Sequence, residues 1–182
     1  MNIPNLLTLL RIALIPILVS IYYLPYSWVN IACGSVFAIA CFTDWLDGYI
    51  ARKFDQSTTL GAFLDPVADK LIVAVALVLL CVSYATPWVT IPAIVIISRE
   101  IVISALREWM AELGKRSNVK VSSVGKIKTA MQMLSILVLL SVEPDTVYSA
   151  AGITALYIAA ILTIWSMFIY LNAAWSDLKK HS

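Results

Sequence analysis

Long apolar runs separated by short polar ones dominate this chain. Six runs, at roughly 5–24, 29–50, 60–84, 88–109, 126–142 and 148–173, are each about long enough to cross ~30 Å of hydrocarbon at 1.5 Å per residue. The pattern predicts six transmembrane helices. Their connections alternate in charge. The segments Leu24–Asn30, Tyr84–Trp88 and Glu143–Val147 hold no Lys or Arg. Arg52, Lys53, Arg107, Lys115, Arg116, Lys120, Lys126, Lys128, Lys179 and Lys180 gather at the opposite ends. An excess of Lys and Arg on the cytoplasmic side orients membrane helices, so both termini are expected in the cytoplasm. Tyr22, Tyr23, Tyr26, Trp28 and Trp88 suit the outer interfacial belt, and Trp109 and Trp175 the inner one.

Composition supports this pattern. Of 182 residues, 61% are hydrophobic and 13% charged, with mean hydropathy +0.89. A soluble domain carries about a quarter charged residues. The expected architecture is an all-α integral membrane protein, one domain over 1–182, with no nucleic-acid partner. Arg11 interrupts the first apolar run, and the N-terminus has no basic leader or cleavage site, so it reads as a retained span. The longest polar connection, Ala111 to Gly125, is expected to be a cytoplasmic loop. Cys33, Cys41 and Cys81 lie within apolar runs and His181 is the one histidine, which leaves no zinc-type cluster.

Chemistry concentrates in TDWLDGYIARKFDQSTTLGAFLDPVADK. Asp44 and Asp47 are three residues apart, and Asp65 and Asp69 four, so each pair shares one face of its helix. Counted from the turn between the second and third runs, Asp44 and Asp65 each lie roughly 12–13 Å up their helices. All four acids should therefore reach one depth near the cytoplasmic face. A single Asp at mid-span costs about 2.5–3.5 kcal/mol on insertion scales, so four demand compensation. Two divalent ions would supply it, and all-oxygen ligands suit Mg²⁺ or Mn²⁺. The structural alternative is a cluster neutralised by Lys70, Arg52 and Arg99. Gly48, Ala51 and Gly61 lie on the same segments, where small residues allow close helix packing or leave a slot for a nucleotide.

The pattern Asp44-x-x-Asp47-Gly48-x-x-Ala51-Arg52, eight residues, then Gly61-x-x-x-Asp65-x-x-x-Asp69 resembles the full signature of the CDP-alcohol phosphotransferase family. Metal ions are expected on Asp44, Asp47, Asp65 and Asp69; the resemblance implies two ions with the first three as ligands and Asp69 also serving as general base. It implies a cytidine site lined by Gly48, Ala51 and Gly61, with Arg52 near the nucleotide phosphates. It also implies CDP-diacylglycerol as donor and a homodimer as the assembly.

Polar positions on other runs point to the acceptor. Asn5, Thr8 and Arg11 recur every three residues on the first run, and Gly125, Lys128, Thr129 and Gln132 cluster on the fifth. Arg99 and Glu100 lie inside the fourth, with Arg107 nearer its inner end. Intramembrane ionisable residues are functional candidates. A basic pocket formed by Arg99, Arg107 and Lys128 with Thr8 favours an acceptor that carries phosphate, of which glycerol 3-phosphate is the expected one. The opening NIPNLLTLLRI and the SRE of the fourth run also resemble bacterial members that make phosphatidylglycerophosphate. Inositol phosphate, serine and phosphatidylglycerol are the alternative acceptors. A cation transporter is the rival class, disfavoured because the acids share one face of adjacent spans without a repeat.

Overall fold

The computed structural model describes residues 3–54, 59–112 and 123–178. Among these residues the chain is all-helical: α1 Ile3–Tyr22, α2 Val29–Phe54, α3 Thr59–Tyr84, α4 Pro87–Glu112, α5 Ser123–Ser141 and α6 Val147–Leu178. Five of the helices are long and apolar enough to cross a membrane; α5 carries the shorter apolar stretch Ile127–Ser141. Exposed apolar side chains cover the outside of the bundle, including Ile31, Phe63 and Trp165. In water such a surface would aggregate, whereas against lipid it is the expected exterior.

Each helix keeps the order predicted from the apolar runs, but α2, α4 and α6 run on past the hydrophobic segments to Phe54, Glu112 and Leu178. Lys, Arg and Glu are good helix formers, so the edge of the apolar zone is not a stop signal for the backbone. The 32 residues of α6 span roughly 48 Å, well beyond the hydrocarbon thickness. Most of the polar segment 111–125, read as a cytoplasmic loop, lies outside the described residues.

The opposite helix ends are sharply capped. Pro87 begins α4, where its missing N–H costs nothing, and the Thr86 carbonyl accepts from Val89 and Thr90 at 3.2 and 3.1 Å. At the start of α6, Thr146 Oγ1 accepts from the Ser149 backbone N–H at 3.1 Å. Ser149 Oγ in turn accepts from the Thr146 N–H at 3.0 Å. This reciprocal pair satisfies two amides that the helix itself cannot.

Within the bundle, α1 packs against both α2 and α3, which touch each other much less. α5 lies against α2, α3 and α6, and α6 also packs on α4. Two glycines, Gly34 and Gly152, permit close approaches. A Cβ at Gly34 of α2 would stand 3.3 Å from the Ser141 backbone, and one at Gly152 of α6 would stand 2.8 Å from Leu139. The core between these seams includes Leu18, Phe37, Leu77, Leu80, Ile96, Ile136 and Leu156. Tyr84 Oη donates to the Leu139 carbonyl at 3.2 Å and ties α3 to α5. Among the described residues α4 and α5 make no close backbone contact, and a cavity occupies the space between them beside α3.

Candidate active site

The arrangement of α1 between α2 and α3 determines how the two acid pairs meet. Asn5, Thr8 and Arg11 fall on one face of α1 and are all buried. Arg11 is fully enclosed, and its guanidinium reaches acids on both neighbouring helices. Its Nη1 lies 3.2 Å from Asp44 Oδ1 and also donates to Asp69 Oδ1, while Nη2 donates to Asp47 Oδ2. One turn earlier, Thr8 Oγ1 donates to Asp65 Oδ1. All four acids of the sequence motif are thus joined to one face of one helix.

Asp47 is nearly enclosed, whereas the side chains of Asp44 and Asp69 are 43% and 39% exposed. Asp44 and Asp69 both line the cavity, so one side of the acid cluster opens into it. Gly48 is half-buried on α2 and Gly61 is buried on α3, each one turn from an Asp of the motif. Ala51 and Arg52 continue α2, but their side chains lie outside the described residues.

The cavity holds about 590 Å³, within the size range of sites for cofactors and small molecules. Its far wall is polar. Lys128 of α5 donates to Glu100 Oε1 of α4 at 2.8 Å across the gap between the helices. Arg99 Nη1 donates to the same oxygen at 2.7 Å, and Arg99 Nη2 to Ser166 Oγ of α6 at 3.1 Å. Glu100, Ser104, Lys128, Thr129 and Gln132 line the cavity. Arg99 does not; it sits behind Glu100. Lys70 of α3 donates to Ser104 of α4.

The residues expected around the acceptor therefore separate. Lys128 is on the cavity wall, and Thr8 belongs to the acid cluster through Asp65. Arg107 is exposed and turned to α6, donating to Tyr170 Oη at 3.0 Å with its guanidinium over the ring. Of the cations considered as structural partners for the acids, Lys70 and Arg99 bind elsewhere. Among the described residues, the cation that meets them is Arg11. Its three-residue spacing with Asn5 and Thr8, and its charge within an apolar run, were the available signals. Glu100 had a similar one, a second charge beside Arg99 inside a span.

Among the described residues no group of three or more His, Cys, Asp and Glu stands in metal-binding geometry; Asp44, Asp47 and Asp69 pair with Arg11. The donor set itself fits a hard divalent cation. It is all oxygen, it comes from two helices, and three of its members already converge on one positive centre.

Residues 1–165 match the sequence profile of the family described as CDP-alcohol phosphatidyltransferase. A Pectobacterium atrosepticum protein named CDP-diacylglycerol–glycerol-3-phosphate 3-phosphatidyltransferase is 57% identical over 177 residues, covering 97% of both chains. The protein of that name from Sodalis glossinidius is 55% identical over 181 residues, covering 100% of this chain and 99% of its own. One from Yersinia pestis is 57% identical over 178 residues, 98% of this chain and 97% of its own. With the acid motif complete and gathered beside a cavity, and the match extending over nearly the whole chain, this protein belongs to the CDP-alcohol phosphatidyltransferase family.

Proposed function

We propose that the chain transfers the phosphatidyl group of CDP-diacylglycerol to glycerol 3-phosphate, giving phosphatidylglycerophosphate and CMP in phospholipid biosynthesis. The observation that carries this reading is the 55–57% identity, over nearly the full chain, to bacterial proteins bearing that activity in their names. The site's chemistry supports it. Acids that open into a membrane-embedded cavity suit a donor whose reacting phosphorus lies at headgroup depth.

In this reading Asp44, Asp47 and Asp65 would hold two Mg²⁺ or Mn²⁺ ions, with Asp69 as the general base. Bound there, such ions would supply Lewis-acid polarisation of a pyrophosphate and charge compensation for a departing CMP. Gly48, Ala51, Arg52 and Gly61 form the nucleotide side. The acceptor occupies the cavity with its phosphate on Lys128 and its hydroxyl toward Asp69. As the hydroxyl oxygen bonds to the phosphatidyl phosphorus, the bond from that phosphorus to CMP breaks and Asp69 takes the proton. The charge asymmetry of the connections supports a site on the cytoplasmic side of the bacterial inner membrane.

The test is CMP release by purified protein supplied with CDP-diacylglycerol, Mg²⁺ or Mn²⁺, and each acceptor in turn. Release is expected with glycerol 3-phosphate. Turnover with serine, inositol phosphate or phosphatidylglycerol in its place would reassign the acceptor. Cation flux into liposomes without CMP release would overturn the enzyme reading.

A further inference from the structure

A phosphate-bearing acceptor keeps its phosphate through the reaction, so the group that binds it must also release it as part of the product. The cavity wall contains a device suited to this. Lys128 enters the cavity already bonded to Glu100 at 2.8 Å, and the same Glu100 oxygen is held from behind by Arg99 at 2.7 Å. Two cations and one anion leave this triad with a formal charge of +1 (1 + 1 − 1). Arg99 is fixed by Ser166, so Glu100 is anchored on the protein side and presents a carboxylate to Lys128 in the position an incoming phosphate would take. Any anion that binds Lys128 must displace that carboxylate or share the ammonium with it. Like charges brought together in a partly dry cavity weaken the binding of the second.

We infer that Glu100 is a specificity-determining residue that competes with the acceptor phosphate for Lys128 and thereby holds acceptor affinity down. The inference rests on the proposed phosphate contact at Lys128 and adds a second, opposite effect from its neighbour. The hydrogen bonds of Glu100 run to Arg99 and Lys128 rather than to the acid cluster, so its influence should be confined to the acceptor. It also follows that a cationic alcohol gains nothing from Lys128, while Glu100 is occupied by its own two cations.

The test is calorimetric titration of glycerol 3-phosphate into the full-length protein in nanodiscs, paired with the KM of each substrate. Glu100→Gln keeps an oxygen that accepts from Arg99 and Lys128 but removes the competing charge. It is expected to bind glycerol 3-phosphate about tenfold more tightly, the change that 1.4 kcal/mol produces, with the CDP-diacylglycerol KM unchanged. Lys128→Gln is expected to weaken glycerol 3-phosphate by at least as much. Because Glu100→Gln leaves Arg99 buried without its counter-ion, it is paired with Arg99→Gln/Glu100→Gln, which removes both buried charges together. The double variant should also bind more tightly than the wild type, since the carboxylate it loses is nearer the cavity than the guanidinium. Weaker glycerol 3-phosphate binding in both Glu100 variants, with Lys128→Gln weakened too, would show that Glu100 only positions Lys128 and would overturn the inference alone. Unchanged binding in Lys128→Gln would instead remove the phosphate contact on which it stands.

Discussion

At the scale of single residues, Arg11 and Asp69 carry the most consequential chemistry. Arg11 is a fully enclosed cation bonded to three carboxylates from two helices. Removing one member of such a buried network leaves the others without compensation, at a cost on the order of 3–5 kcal/mol. Arg11→Gln should therefore lower the thermal unfolding temperature in metal-free detergent, and millimolar Mg²⁺ or Mn²⁺ should restore much of the loss. An equal loss with and without metal would make Arg11 a packing element rather than the counter-ion of the acids. Asp69 has a different expected signature. In the proposed mechanism Asp69 accepts the hydroxyl proton, which Asn cannot do, so Asp69→Asn should cut kcat by about 10²- to 10⁴-fold while the CDP-diacylglycerol KM stays nearly constant. Asn at Asp44, Asp47 or Asp65 should in addition raise the Mn²⁺ concentration needed for half-maximal activity. The acids were legible in the sequence because their spacing within each helix is a local property. The role of Arg11 was not, since it depends on which faces of three helices are turned together.

Among the elements, α5 is the one that its neighbours hold most closely. It is the least apolar in length, yet it is clamped by Gly34 of α2 on one side and Gly152 of α6 on the other. A side chain at Gly34 would meet the Ser141 Cβ at 3.0 Å and its Cα at 3.3 Å, where backbone cannot yield cheaply. Gly34→Leu should separate α2 from α5 and destabilise the bundle by about 1–3 kcal/mol, the usual cost of overpacking. Thermal unfolding in detergent would read this directly, and a stability equal to the wild type would mean that the two helices are free to move apart. The same separation should disturb Lys128, which α5 carries to the cavity wall. Sequence spacing located α5 and its polar face, but neither glycine seam, because a glycine in an apolar run looks the same whether it faces lipid or a neighbouring helix.

For the whole molecule, orientation in the bilayer is what places the site relative to its substrates. Connections without Lys or Arg alternate with basic ones along the entire chain. A single cysteine introduced near Trp28 or Asp145 should react with a membrane-impermeant reagent from outside, and one near Ser117 only from the cytoplasm. Reversed labelling would put the cavity on the other side of the membrane and separate it from cytoplasmic glycerol 3-phosphate. Hydropathy and charge determined the number of helices, their order and the carboxylate motif, because burial in lipid and the 3.6-residue period act on each segment independently. Only the tertiary structure decided that Arg11 meets three of the acids, that Arg99 stands behind Glu100, and that Arg107 turns away from the cavity to Tyr170. Those outcomes depend on the rotation and relative height of packed helices, which are set by contacts such as Gly34 against Ser141, between residues far apart in the chain.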